Sequence, residues 1–69
     1  MTERDKLIAQ AEAFKELAAE LSKVRAIAEV PAEREAYERH YVWLKVTNGL
    51  LETMAAKERE LRALAKQGD

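Results

Sequence analysis

The chain has no cysteine, one proline, two glycines, and a formal net charge of −1 over 69 residues. No disulfide can staple it, and a lone His40 with no companion His one helical turn away does not make a zinc-type ligand set. Charge balance weighs against another class. Twelve basic residues stand among thirteen acidic ones, whereas a nucleic-acid footprint needs a net basic face. The nearest candidate is Lys57, Arg59, Arg62 and Lys66, but Glu58 and Glu60 are interleaved with it. Cations at that place complement the negative end of a helix dipole. No run is apolar and long enough to span a bilayer, and the first residues show no basic segment followed by an apolar one. Glycine-rich phosphate loops are missing. Ser22 is the only serine and falls on a different helix from His40, so a nucleophile and base pair finds no support. These absences lead to the expectation of a cytoplasmic, non-enzymatic protein with no cofactor, metal, membrane, small-molecule or direct nucleic-acid partner.

What is present is helical periodicity. Thr2 followed by Asp5 forms a capping-box pattern. Leu7, Phe14, Leu21 and Ala28 then recur every seven residues, and Leu17 and Val24 complete an a/d seam interrupted by Gln10. Ile8, Ala11, Ala18 and Ile27 widen that stripe beyond a narrow two-stranded seam. "AEVPAERE", residues 28–35, contains Pro31, which pushes Val30 out of the α region and suits the first position of a second helix.

"YVWLKVTNGLLETM", residues 41–54, is ambiguous at first sight. Its β-branched, aromatic start followed by Asn48-Gly49 is a hairpin signal. However, "LLETM" lacks the alternation of a return strand, and an isolated pair of strands is marginal in water. Helical spacing fits better. Tyr37, Leu44, Leu51 and Ala65 share one seven-residue repeat and His40, Thr47, Met54 and Leu61 share its partner, with no change of phase at Gly49. The expected architecture is all-α: an antiparallel helical hairpin with a helix over 3–28, a turn at 29–31 and a long second helix over 31–66, stopped by Gly68. A break near 48–49, which would give three helices, stays open as the alternative.

A chain this short buries only about 60% of the surface its unfolded form exposes. Without disulfides or metal, oligomerisation is the remaining reinforcement. Trp43, Val46 and Leu50 form a second apolar stripe that the first helix cannot cover, and Gly49 among them would permit close backbone approach. These four residues are the candidate interface of a symmetric homodimer. In "YERHY", Tyr37, Arg39, His40 and Tyr41 combine the residue types enriched at binding hot spots and are the candidate partner-binding patch.

In length and plan, and in the Ala-, Glu- and Arg-rich texture of "ERELRALAKQGD" (residues 58–69), the chain resembles the small phage-encoded anti-quorum-sensing anti-activators of pseudomonads. That resemblance implies an inhibitor that binds a LuxR-type quorum-sensing regulator and blocks its engagement with DNA. It also implies a second target, the type IV pilus assembly ATPase. "EAYERHYVWL", residues 35–44, is loosely similar to the second helix of type III secretion needle co-chaperones, although "EVPAE" stands where those families carry a glycine-containing loop. A designed helical mini-binder is a third source for such dense charges and wide apolar stripes.

Overall fold

A computed structural model describes residues 2–67. Two helices account for nearly all of them: α1, Glu3–Ile27, and α2, Arg34–Gln67. They pack antiparallel into a hairpin with principal extents of 54 × 16 × 12 Å.

The start of α1 is locally encoded. The Asp5 N–H donates to Thr2 Oγ1 at 3.1 Å, and the Thr2 N–H donates to Asp5 Oδ2 at 3.4 Å. Two otherwise orphaned backbone donors are thus satisfied reciprocally. At the other end Ala28 is extended, and its N–H donates to the Val24 carbonyl.

Pro31 does not open the second helix. That helix begins at Arg34, and its first bond runs from the Tyr37 N–H to the Glu33 carbonyl at 2.8 Å. The register between the helices explains the delay. The side chain of Arg25 on α1 reaches the backbone of Leu44, which lies well inside α2. α1 ends two residues beyond Arg25, so the connection must run on alongside about eight residues of α2, or about 12 Å, before it reverses direction. Extended chain covers up to about 3.3–3.6 Å per residue. A segment from Ala28 to Glu33 is long enough, and a turn confined to 29–31 is not.

Side chains from the two helices meet along one seam. On α1 the row Leu7, Phe14, Leu21 and Ala28 faces the partner helix as expected, but the alternate row is Ala11, Ala18 and Arg25. Leu17 and Val24 instead stay 55% and 49% exposed. A heptad row can be completed three or four residues on, and here the row carrying alanines is inside. Small residues let the backbones approach, and Ala11 is fully buried. Ile27 is largely exposed.

On α2 both expected rows face inward. Thr47, Leu61 and Ala65 are buried, while His40, Leu44, Leu51 and Met54 are partly so. Glu58 completes the row between Leu51 and Ala65. Tyr37 lies beyond the end of α1 and is 49% exposed. The hydroxyl of buried Thr47 donates to the Trp43 carbonyl at 2.8 Å, with the Leu44 carbonyl at 3.1 Å. Bonding to the preceding turn is how a threonine is satisfied inside a helix.

α2 passes through Asn48-Gly49 without a break. A Cβ built at Gly49 would meet nothing within 4 Å. Nothing in the hairpin itself therefore requires glycine there. Gly68 lies outside the described residues.

Two measurements check this packing. Gly49→Ala should stabilise the chain by about 0.5–1 kcal/mol in urea denaturation, because alanine restricts the unfolded state and loses no contact in the folded one. Ala11→Leu should destabilise it by about 1–3 kcal/mol, because added volume at a fully buried seam position forces the helices apart. An unchanged midpoint for Ala11→Leu would refute the close seam.

Candidate functional site

The offset between the helices builds the loop end. Because α1 stops short, the first turns of α2 pack against the returning extended segment instead. Val30, Tyr37, His40, Tyr41 and Leu44 line a shallow cavity of about 100 Å³ there. Tyr37 and Tyr41 remain about half exposed, at 49% and 51%. The ammonium of Lys45 sits 4.9 Å from the centre of the Tyr41 ring, a cation–π distance that orients both side chains. His40 stacks obliquely on Trp43, with ring centroids 5.5 Å apart.

Of the four residues singled out in "YERHY", the structure brings three together around this cavity, namely Tyr37, His40 and Tyr41. Arg39 does not join them. At about 100° per residue it points to the side of α2 away from Tyr41, where it is exposed. Adjacency in sequence placed it in the patch, and helical geometry takes it out. Beneath the cavity, Arg25 Nη2 donates to the Leu44 carbonyl at 3.4 Å, while its Nε is buried without a hydrogen-bond partner.

The two flanks of the hairpin differ in chemistry. In an antiparallel pair, each flank is shared by residues just to one side of the seam on both helices. One flank holds an ionic cluster in which Arg62 Nη2 donates to Glu12 Oε1 at 2.7 Å and Arg62 Nε donates to Glu58 Oε2 at 2.9 Å. The other is apolar: Leu17 and Val24 from α1 with Val46, Leu50 and Leu64 from α2, all exposed. Trp43 borders this flank and is partly buried. Gly49 points away from α1, next to the apolar flank. Sequence reasoning named Val46 and Leu50 of that flank, passed over Leu64, and missed Leu17 and Val24 by assigning them to the seam. Gln10, which shares their row, was the signal that this row faces solvent.

Among the described residues no three His, Asp or Glu side chains gather in a way that could hold a metal ion, and no helix is long and apolar enough to cross a membrane. Searches against protein families, curated proteins and solved structures find no match to this chain. Its surfaces must be read from their own chemistry.

The ionic cluster has a pH signature. The hydrogen bond from Arg62, helped by the charge of Lys15, holds the Glu12 carboxyl below its ordinary range. The same bond, together with one to Glu58, holds the Arg62 guanidinium more firmly protonated. A depressed carboxylate stabilises the fold above its unfolded-state value, and that stabilisation is lost as pH falls through the lower folded value. Acid titration of the urea midpoint should therefore fall more steeply below the ordinary carboxylate range for the wild type than for Glu12→Gln. Parallel curves would show that the pair contributes nothing in solution, as many exposed pairs do.

Proposed function

We propose that the chain is a non-enzymatic protein-interaction module of the cytoplasm, a self-associating helical hairpin that offers its loop end to a second protein. The observation that carries this reading is the cavity lined by Val30, Tyr37, His40, Tyr41 and Leu44 between two half-exposed tyrosines. It has room for one apolar side chain of a partner. Tyrosines at its rim combine large contact area with a hydroxyl that directs hydrogen bonds. Their cost of ordering on binding is low, because one ring is already held by Lys45.

The resemblance to phage anti-activators supplies the partner class. On that reading the loop end engages a LuxR-type quorum-sensing regulator and blocks its DNA binding, and the type IV pilus assembly ATPase is a second target of the same end. An aromatic patch that admits several contact geometries suits more than one target.

The test is binding of purified regulator by calorimetry, beside a DNA-binding assay. Wild-type protein should bind the regulator and release it from DNA. Tyr41→Ala should lose about 2 kcal/mol, roughly thirtyfold in affinity, with helicity retained. Equal binding by Tyr41→Ala would remove the loop end from the function. Absence of binding to the regulator, with capture of a secretion subunit from lysate instead, would replace the inhibitor reading with a chaperone one.

A further inference from the structure

We infer that the apolar flank is covered by a second copy of this chain, the two hairpins meeting flank to flank and antiparallel about a two-fold axis beside Leu50. This rests on the self-association in the proposed function and assigns it a surface, a direction and a register.

The first argument is the need for cover. Among the described residues no large side chain is fully buried, and the buried set is Ala11, Thr47, Leu61 and Ala65. Two helices without disulfide or metal form a weak unit, and association is the common reinforcement. A second copy is the one partner present whenever the chain is made.

The second argument is shape. Leu17 and Val24 on α1 lie level with the middle of α2, because Glu12 pairs with Arg62 and Arg25 reaches Leu44. Together with Val46 and Leu50 they make an apolar belt across both helices near mid-length. A two-fold axis through a central belt overlaps the two hairpins along most of their length, whereas an axis through a belt at one end would overlap only those ends. The long side of the hairpin measures 54 by 16 Å, enough for the roughly 800 Å² per partner that a stable interface buries.

The third argument is charge. Arg39 lies ten residues before Gly49 and Glu60 lies ten residues after Leu50. Both project toward the side of α2 that carries the belt. Antiparallel pairing of α2 with its copy therefore brings Arg39 of one hairpin to Glu60 of the other, twice. Arg39 has no ion-pair partner among the described residues, and Glu60 is held only by an exposed Lys57 at 3.5 Å. Trp43 and Lys57 lie seven residues either side of Leu50, so the same register sets each Lys57 ammonium near a Trp43 ring across the axis. Parallel pairing would place Arg39 beside Arg39 and Glu60 beside Glu60.

Sedimentation equilibrium on the full chain tests this, with helicity checked by circular dichroism. The wild type should dimerise, and Leu17→Glu/Val24→Glu should weaken the dimer at least tenfold. Arg39→Glu and Glu60→Arg should each weaken it, and the double exchange should restore it toward wild type. Because the chain has no cysteine, Leu50→Cys should form a disulfide-linked dimer on mild oxidation, whereas Ser22→Cys, off the flank, should not. This crosslink reads the register without perturbing the charges. A strict monomer would overturn both the assignment and the self-association beneath it. A dimer indifferent to Leu17, Val24 and the charge exchange, or crosslinked equally through Ser22→Cys, would leave self-association standing and overturn the flank assignment.

Discussion

Two helices share only one line of contact, and how closely they approach along it governs the rest of this structure. Ala11 and Ala18 on α1 bring the backbones together opposite bulkier residues of α2 such as Leu61 and Met54, so the seam is narrow. A narrow seam leaves the residues on either side uncovered. That is why Leu17 and Val24, apolar and close to the seam, still reach solvent. Had their row faced α2 in place of the alanine row, they would have been core and the apolar flank would not exist.

Polar groups in the seam give it direction. Arg25 and Thr47 approach the same Leu44 carbonyl, one from each helix. Sliding either helix by one turn would take the guanidinium off that carbonyl, and a partly buried charge that loses a hydrogen bond costs more than an ordinary lost contact. The register that results offsets α1 from the start of α2. That offset forces the extended Ala28–Glu33 connection and leaves Tyr37 and Tyr41 without a helix above them. The loop-end cavity is thus a consequence of the register, not a separate device.

Much of this was legible in the sequence, and where it was not the reason is geometric. Thr2 and Asp5 are coupled three residues apart, so local chemistry sufficed for the start of α1. The α2 rows were legible because they keep phase across Asn48-Gly49, and a turn there would have disturbed them. The start of α2 was misplaced because Pro31 has a strong local preference, whereas the length of the connection is set by a contact between residues nineteen apart, Arg25 and Leu44. The α1 seam was misread because rows at three and four residues both continue the Leu7 repeat, and hydrophobicity favours leucine and valine over alanine inside. Close approach decides otherwise, and it is a property of two helices together. Arg39 was grouped with its neighbours in "YERHY" by adjacency, which a helix separates by rotation.

The two flanks divide the molecule's interactions between inside and outside. Glu12, Arg62 and Glu58 satisfy one another on one flank, so that side asks little of a partner. The other flank carries apolar surface and Arg39, which has no ion-pair partner among the described residues. In the proposed antiparallel dimer the two loop-end cavities fall on opposite sides of the axis, each centred about ten helical residues or about 15 Å from Leu50, and so about 30 Å apart. A small partner then meets each cavity separately, and the dimer gains avidity only toward a target whose sites are spaced on that scale, as in a symmetric oligomer. In that proposed dimer the loop end would remain the main exposed aromatic surface. On the proposed reading, stability and recognition fall to different parts of one short hairpin, and the register that offsets its helices sets the place of each.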